Sequence, residues 1–328
     1  MRRAVPLLLA VVLVACSGGM DDPAPTPLVT VTTLPGATTT TGVPAATLLA
    51  AGDIASCNST GDEATAALLD ARPNAVVATL GDNVYQNGTA AEFANCYDPT
   101  WGRHKDRTRP ALGNHEYGVF RAGGYYGAFG ASAGEPPLGW YSYDLGAWHI
   151  VVLNSNCEVV GCATGGTQEQ WLREDLDAHP TQCTLAIWHH PRWSSGTTHG
   201  PTPAVAPLYL ALYEAGVEIL LSGHEHNYER FAPLNPAGEV DTARGVRQFV
   251  VGTGGRSHYP FGPPAPGSEV RNDNTYGLIA LTLRSNSYQW QFVPEAGKTF
   301  TDSGSHNCHG PLPPPTTSTS AASTTTTR

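Results

Sequence analysis

Apolar runs of strand length recur along the middle of the chain, and several of them stop abruptly at a Gly-Asp, an Asn or a His. The runs cover residues 47–51, 75–80, 148–153, 184–188, 217–221, 248–251 and 278–283. Between them lie helix-like segments at 61–71 and 167–179, and Thr167-x-x-Gln170 at the start of the second is typical of a capping box. Alternation over 287–293 predicts a late hairpin. Strands alternating with helices predict an α/β domain.

Five loops at the ends of these segments carry residue types that bind metals. They read Gly52-Asp53, Gly81-Asp82-Asn83-Val84-Tyr85, Gly113-Asn114-His115-Glu116, Trp188-His189-His190-Pro191 and Gly223-His224-Glu225-His226. A single Gly-Asp after a strand is usually a turn, but five such loops in order indicate a site. Ligand sites of open α/β sheets lie at these strand ends. The glycine beside each candidate ligand lets the chain turn sharply and lets the loops approach one another.

The donor types indicate which metals the loops would bind. Asp, Asn, His and Tyr without thiolates select hard or borderline metals such as Fe, Mn or Zn. Two cations a few ångströms apart repel each other, so a carboxylate must bridge them while other N and O donors complete each shell. The loops therefore predict a site for two cations.

Composition and charge narrow the function classes. The chain has 328 residues and a mass of 34.6 kDa, with 41% apolar and 14% charged residues, which indicates a globular protein and excludes a coiled coil. Its 18 basic and 28 acidic residues give a formal charge of −10, which is the wrong sign for steering a polyanion. Nucleic acid is therefore a poor candidate partner.

Both ends of the chain differ from its middle. Residues 1–15 read as a signal peptide, because two arginines precede a short apolar stretch, and Leu13-Val14-Ala15-Cys16 resembles a bacterial lipobox. We expect a lipid anchor on Cys16, a Thr/Pro-rich tether over 16–45, a catalytic domain over 46–310 and a disordered tail over 311–328. The protein would be exported and held on the outer side of the cell membrane; an ordinary signal peptide with a chance cysteine is the alternative.

Cysteine usage agrees with export. Besides Cys16, six cysteines remain, and an even number in an exported chain favours up to three disulfides with fifteen possible pairings. Cys157 and Cys162 are close enough for a local bridge, and Cys308 would tie down the end of the domain. A zinc knuckle is the alternative, although the sequence has no CxxC pair.

The five blocks, in this order, resemble those of the purple acid phosphatases within the calcineurin-like metallophosphoesterases. The resemblance extends from Asp53 to about Arg230, and the first block departs from the family pattern, since Gly52-Asp53-Ile54-Ala55 replaces GDxG. It implies a four-layer α/β/β/α sandwich with a dinuclear metal site at the strand ends.

The resemblance also implies roles for individual residues. The first metal, typically Fe(III), would be held by Asp53, Asp82, Tyr85 and His226. The second, Fe, Zn or Mn, would be held by Asn114, His189, His224 and the bridging Asp82. His115 would face the substrate phosphate, His190 would lie in the outer shell, and His199 would contact phosphate or donate a proton. Structural roles are the alternatives for these last three histidines. Glu229 with Arg230 is expected to form a structural ion pair, and a phosphate clamp is the alternative.

The function implied is hydrolysis of small phosphate monoesters by a metal-bound hydroxide. A phosphodiesterase acting on cyclic nucleotides or lipid headgroups at the same site is the second interpretation. A non-catalytic surface module whose Thr/Pro-rich tails carry the function is a remote third. The sequence indicates no oligomeric state.

Overall fold

The computed structural model describes residues 43–310; the signal peptide, Cys16, most of the tether and the tail lie outside the described residues. The described strands are β1 (Ala46–Ala51), β2 (Ala55–Ser56), β3 (Val76–Thr79), β4 (Val84–Tyr85), β5 (Thr108–Arg109), β6 (Tyr141–Leu145), β7 (Trp148–Val152), β8 (Cys183–Ile187), β9 (Ile219–Ser222), β10 (Tyr228–Leu234), β11 (Val246–Val251), β12 (Ser268–Asn272), β13 (Gly277–Arg284), β14 (Ser287–Pro294) and β15 (Ser303–Asn307). The α-helices are α1 (Gly61–Asp70), α2 (Ala90–Glu92), α3 (Gly123–Phe129), α4 (Cys157–Val160), α5 (Thr167–Ala178) and α6 (Ala206–Ala215), and 3₁₀ and π-helical turns lie between some of them.

Two mixed sheets carry the fold. The first has the order β15-β14-β13-β1-β3-β5, and the second has the order β12-β10-β11-β9-β8-β7-β6. Each sheet contains a parallel part, namely β1-β3-β5 at one side of the first sheet and β7-β8-β9-β11 in the middle of the second. Parallel neighbours require crossover connections; helices α1, α5 and α6 lie in those from β1 to β3, β7 to β8 and β8 to β9, whereas β10 lies in the one from β9 to β11. The β2–β4 pair forms a separate two-stranded parallel sheet.

The main core lies between the two sheets. Leu49 and Leu281 of the first sheet share one buried apolar cluster with Ile150 and Phe249 of the second. Helix α1 makes the crossover from β1 to β3, and a second apolar cluster packs α5 and α6 against the second sheet. The predicted four-layer α/β/β/α sandwich is confirmed.

Every apolar run predicted as a strand overlaps one, with ends that differ by at most two residues where the run extends beyond the strand, and the predicted hairpin is β13–β14. The helix at 167–179 is also confirmed, but its capping box is wrong. Gly166 occupies the N-cap position without a side-chain hydrogen bond, and the N–H of Gln170 donates to the Gly166 carbonyl at 2.9 Å. The helix thus begins one residue earlier, which places Thr167 inside its first turn.

Disulfides join Cys57 to Cys96, Cys157 to Cys162 and Cys183 to Cys308. This confirms the local bridge and the anchoring of the end of the domain through Cys308. The Cys183–Cys308 bridge connects the start of β8 in the second sheet to the segment after β15 in the first. Within residues 43–310, no helix is both long and apolar enough to cross a bilayer.

Candidate metal centre

Loops that follow β1, β3, β8 and β9 bring expected ligands to one rim of the sandwich. Asp53, His189 and His224 are each the second residue after a strand, namely β1, β8 and β9. Asp82 is the third residue after β3. Asp53, Asp82 and His224 have left-handed backbone conformations, with φ of 61°, 48° and 70°. Such conformations cost free energy in non-glycine residues and cluster at functional sites.

Glycines allow these loops to approach closely. A Cβ atom on Gly223 would lie 2.6 Å from Asp53 Oδ2, and one on Gly81 would lie 2.6 Å from His189 Nδ1. A Cβ on Gly113 would overlap Asp82 Oδ1. At these three positions any side chain would displace an expected ligand, so the glycines have the role that the sequence assigned to them.

Four donor atoms form the first group. The Tyr85 hydroxyl lies 2.9 Å from Asp53 Oδ1, 3.0 Å from Asp82 Oδ2 and 3.2 Å from His226 Nε2. His226 Nε2 is also 3.2 Å from Asp53 Oδ1. These are the four side chains expected to hold the first metal, and the structure brings all of them together.

A second group surrounds His189. Its Nε2 lies 3.2 Å from Asp82 Oδ2, 3.1 Å from Asn114 Oδ1 and 3.2 Å from His224 Nδ1. Asp82 Oδ2 therefore belongs to both groups, as a bridging ligand must. With metal–ligand bonds of about 2.1 Å, neighbouring ligand atoms lie about 3 Å apart, which is the spacing found here.

The charges and lone pairs of the site fit cations. Among the described residues, no Lys or Arg side chain forms a salt bridge with buried Asp53 or Asp82, whose ionic contacts are histidines. Buried carboxylates without compensating charge are costly. His189 Nδ1 lies 2.7 Å from the Leu80 carbonyl and must donate to it, so in the neutral ring the Nε2 lone pair faces two oxygens that also bring lone pairs.

The pKa values of two expected ligands also indicate that the carboxylates of the site favour a nearby positive charge. Burial alone would lower the pKa of His189, but the Asp82 carboxylate outweighs it and raises the pKa to about 9. Burial and the carboxylates of Asp53 and Asp82 raise the pKa of Tyr85 well above its usual value. A cation would replace the proton on His189 and allow the Tyr85 phenolate to form, because metal binding releases ligand protons.

His115 faces the same centre. Its Nδ1 lies 2.6 Å from the Gln86 carbonyl, which only accepts, so this nitrogen donates. The other nitrogen, Nε2, lies 3.8 Å from Asp82 Oδ2. The backbone N–H of His115 also donates to Asp82 Oδ1 at 2.9 Å, so this residue both orients Asp82 and presents a ring nitrogen to the site.

The other two histidines both lie against His224. The His199 ring stacks on it with a centroid distance of 4.1 Å, and the His190 ring lies 4.4 Å away. His190 Nδ1 is 2.8 Å from Ser155 Oγ, and burial together with His189 lowers the pKa of His190 to about 3. One nitrogen of His190 also lies within 4.8 Å of His189 and His224 donors, a distance compatible with the expected outer-shell position.

Two buried glutamates inside the motifs support the loops, and the sequence analysis gave neither a role. Glu116 accepts the backbone N–H groups of Asp82, Asn83 and Gly113 at 3.1, 2.8 and 2.7 Å. Glu225 Oε1 accepts the N–H groups of His199 and Gly200 at 2.7 and 2.5 Å. Glu116 thus fixes the bridging loop, and Glu225 fixes the loop that carries His199.

The loop after β11 adds two residues that the sequence analysis missed. The Tyr259 ring stacks on His226 with a centroid distance of 3.9 Å, and the Arg256 guanidinium lies 5.0 Å from the centre of the Tyr85 ring. The sequence feature that could have indicated this loop is the run Gly252-Thr253-Gly254-Gly255, which directly follows an apolar strand. Arg256 brings positive charge to the side of the site that holds Asp53 and Tyr85.

The expected Glu229–Arg230 ion pair is wrong. Glu229 accepts the backbone N–H of Ser195 at 2.8 Å and the hydroxyl of Ser268 at 2.6 Å. Arg230 donates to Asp302 at 2.7 Å. Both residues belong to β10, in which successive side chains point to opposite faces, so neighbours cannot pair. Both residues have structural roles.

Comparison with known proteins agrees with this geometry. The family model described as calcineurin-like phosphoesterase matches residues 46–228, which include all seven expected metal ligands.

Two relatives and one solved structure illustrate the similarity. Purple acid phosphatase 15 of Arabidopsis thaliana is 26% identical over an alignment of 221 residues that covers 55% of this chain and 40% of that protein. Acid phosphatase A of Cryphonectria parasitica is 25% identical over an alignment of 205 residues that covers 53% of this chain and 40% of that protein. The purple acid phosphatase PPD1 from yellow lupin seeds superposes with a TM-score of 0.65 at 19% identity, covering 81% of this chain and 54% of that one. This chain thus matches about two fifths of the length of the two sequence relatives.

Proposed function

Because the chain belongs to the calcineurin-like phosphoesterase family, we propose that it hydrolyses small phosphate monoesters at a dinuclear metal centre outside the cytoplasm. The observation that carries this proposal is the position of Asp82 Oδ2, which lies 3.0 Å from the Tyr85 hydroxyl and 3.2 Å from His189 Nε2. One carboxylate oxygen is thereby shared by two groups of donors, as a bridged pair of cations requires.

In the proposed site, Asp53, Tyr85 and His226 would hold one cation, Asn114, His189 and His224 would hold the other, and Asp82 would hold both. Fe(III) with Fe, Zn or Mn suits these donors, because they include a phenol, imidazoles and carboxylates but no thiolate. Bound cations would supply Lewis acidity toward the phosphoryl oxygens and would lower the pKa of a water molecule in the site.

The chain's own residues bind and orient the substrate. His115 presents Nε2 to the centre while its Nδ1 donates to the Gln86 carbonyl, so the ring would donate from Nε2 to a phosphoryl oxygen as the imidazolium, with a proton on each nitrogen. Arg256 adds a guanidinium on the Tyr85 side, and guanidinium groups match phosphate oxygens well. Together they would offset the charge of the phosphoryl group.

His199 is the proposed proton donor to the departing alkoxide. It lies on an exposed loop, it is stacked on His224, and the Glu225 carboxylate holds its backbone. Burial lowers the pKa of His199 below the ordinary imidazole value, so we expect it to act as a proton donor in mildly acidic solution. His190 is more constrained, because both its backbone N–H and its Nδ1 contact Ser155 Oγ. We assign His190 to positioning at the edge of the site.

Export and anchoring remain part of the proposal. Three disulfides among the described residues support an oxidising compartment. The apolar start of the chain and the lipobox-like Leu13-Val14-Ala15-Cys16 support a signal peptide and a lipid anchor on Cys16. Mass spectrometry of the membrane-extracted protein tests this, since the mature chain should begin at an acylated Cys16; a soluble chain that retains residues 1–15 would contradict it.

The activity is tested with 4-nitrophenyl phosphate and bis(4-nitrophenyl) phosphate on purified protein of known metal content. We expect two metal equivalents and a higher kcat/KM for the monoester. A preference for the diester would favour the phosphodiesterase interpretation. Two bound metals without turnover of either ester would contradict the catalytic proposal.

A further inference from the structure

A cleft opens beside the candidate metal centre, on the side of Asn114 and His190. Its volume is about 330 Å³, and its walls include Tyr117, Val159 and Ala204 in addition to these two residues. Asn114 is an expected ligand and His190 lies 4.4 Å from His224, so the cleft is continuous with the site. A molecule bound at the metals and larger than phosphate can extend into it.

The walls of the cleft are built and fixed. Helix α4 and the loop after it are closed by the Cys157–Cys162 disulfide. Below them, the Asn154 side chain donates to the Tyr117 hydroxyl at 2.7 Å and to the Leu138 carbonyl at 3.0 Å. These contacts hold Tyr117 and the α4 loop in place before any ligand binds, which reduces the entropy lost on binding.

The chemistry of the lining selects the occupant. Val159 is 58% exposed although it is apolar, and its side chain lines the cleft together with Ala204. Glu158 is the carboxylic acid among the lining residues. An apolar wall favours an uncharged organic group, and the Glu158 carboxylate disfavours a second anionic group on the same ligand.

On the opposite side of the metal centre, around Asp53, two large side chains take up space. Tyr259 stacks on His226, and Arg256 lies over Tyr85. These side chains flank the part of the site that surrounds Asp53. The organic part of an ester whose phosphoryl group lies between the two donor groups therefore has more space on the Asn114 side.

We propose that this cleft binds the alcohol portion of the substrate, an inference that rests on the proposed phosphatase function. The cleft selects monoesters of uncharged, largely apolar alcohols about the size of one ring or a short alkyl chain. Monoesters with further phosphate or carboxylate groups would be poorer substrates. Val159 and Ala204 provide the apolar contacts, and Glu158 provides the discrimination against added negative charge.

Phosphonates test this without the influence of leaving-group reactivity, because their C–P bond is not hydrolysed. Inhibition constants are measured for methyl-, butyl- and phenylphosphonate and for 3-phosphonopropionate, against turnover of 4-nitrophenyl phosphate. Burying one methylene changes affinity by about fourfold, so we expect butylphosphonate to bind at least tenfold more tightly than methylphosphonate. We expect 3-phosphonopropionate to bind more weakly than butylphosphonate by a similar factor.

Variants locate the effect. Val159→Asp and, separately, Ala204→Asp should remove most of the preference for butyl- over methylphosphonate and leave the methylphosphonate constant within about twofold. Glu158→Gln should narrow the gap between 3-phosphonopropionate and butylphosphonate. Val240→Asp is the matched control, because Val240 is 57% exposed and lies between β10 and β11. It should leave all four constants unchanged.

Two results overturn the inference. Equal inhibition constants for methyl-, butyl- and phenylphosphonate in the wild-type protein would show that the cleft does not bind the organic group. An equal loss of affinity for all phosphonates in Val159→Asp would show an effect on the centre and not on the cleft. Calorimetric titration of the metal-loaded protein with the same phosphonates measures the preference even if no ester is hydrolysed, which separates failure of this inference from failure of the proposed function.

Discussion

The carboxylate of Asp53 accepts a hydrogen bond from the backbone N–H of His224 at 2.8 Å, although 171 positions separate the two residues. Oδ2 makes this contact, so Oδ1 remains directed at Tyr85 and His226. The first and last loops of the site thereby fix each other, and the left-handed backbone of both residues is held by this contact. Ligand placement in this protein depends on loops from both sheets.

Asp82 should be the residue whose loss affects both cations. We expect Asp82→Asn to lose most of both metal equivalents and nearly all activity, because its Oδ2 is shared by the two donor groups. Asn114→Ala should deplete mainly the metal next to His189. Metal content by plasma mass spectrometry measures this, with the exposed Asp177→Asn as the matched control. Two retained equivalents with near-normal turnover in Asp82→Asn would show that the bridge is assigned to the wrong residue.

Tyr85 should give the iron-loaded protein its colour. A phenolate bound to Fe(III) absorbs visible light, and the raised pKa of Tyr85 means that the phenolate forms only when a cation displaces its proton. The oxidised, iron-loaded wild type should therefore be coloured, and Tyr85→Phe with equal iron should be colourless. The visible spectrum of both proteins at matched Fe(III) content is the measurement, and a colourless wild type with bound Fe(III) would rule out a Tyr85 ligand.

His199 should matter most for substrates with poor leaving groups. Removal of a general acid typically costs about 10²–10⁴ in rate, and activated aryl esters need that acid least. His199→Ala should therefore lose more activity on an alkyl phosphate than on 4-nitrophenyl phosphate, whereas His190→Ala should lose similar factors on both. Glu225→Ala should reproduce the His199 pattern, since the loop N–H groups lose their acceptor. Equal losses on both esters for His199→Ala would indicate phosphate binding in place of acid catalysis.

Arg256 should contribute to phosphate binding. Its guanidinium lies over the Tyr85 ring, and a charge-assisted hydrogen bond to an anion is worth about 1.5–3 kcal/mol when well formed. Since Arg256 is partly exposed, we expect about a tenfold weaker inhibition by inorganic phosphate in Arg256→Ala, with a smaller loss in Arg256→Lys. The exposed Arg284→Ala is the control. An unchanged phosphate inhibition constant in Arg256→Ala would exclude this contact.

The expected ligands and the central strands could be predicted from the sequence because each ligand lies close to its strand along the chain. Each of Asp53, Asp82, His189 and His224 closely follows an apolar run, so strand and ligand are read from one stretch of chain. Edge strands β12 and β15 were missed because their sequences, Ser-Glu-Val-Arg-Asn and Ser-Gly-Ser-His-Asn, have little apolar alternation. Their pairing with β10 and β14 stabilises them, and that contact is not visible in the local sequence.

The supporting residues were harder to predict than the ligands. Glu116 and Glu225 lie inside recognisable motifs, yet their roles depend on backbone N–H groups up to 34 positions away. Arg256 lies 30 positions beyond His226, and only the folding of the loop after β11 brings it to Tyr85. Such contacts are set by how the loops pack, and a pattern of residue types does not encode them.

Outside the site, His149 forms a buried charged network. It is 1% exposed; its Nδ1 lies 2.9 Å from Asp144 and its Nε2 lies 2.8 Å from Asp175. The His179 ring stacks on it at 4.5 Å. Burial alone would lower the pKa of His149, but the two carboxylates outweigh burial and raise it above the usual value. The folded protein therefore binds a proton here more tightly than the unfolded chain does.

Folding stability should consequently depend on pH through His149. A raised pKa in the folded state gives a contribution that is complete below the ordinary imidazole value of about 6.5 and is lost as the pH rises through the folded value. We expect His149→Gln to reduce the free energy of unfolding more at about pH 5.5 than at about pH 9. Urea unfolding at both pH values measures the difference, and the same change at His306, outside this network, should show no such dependence. An equal loss at both pH values would mean that His149 stabilises the fold by packing and not by its charge.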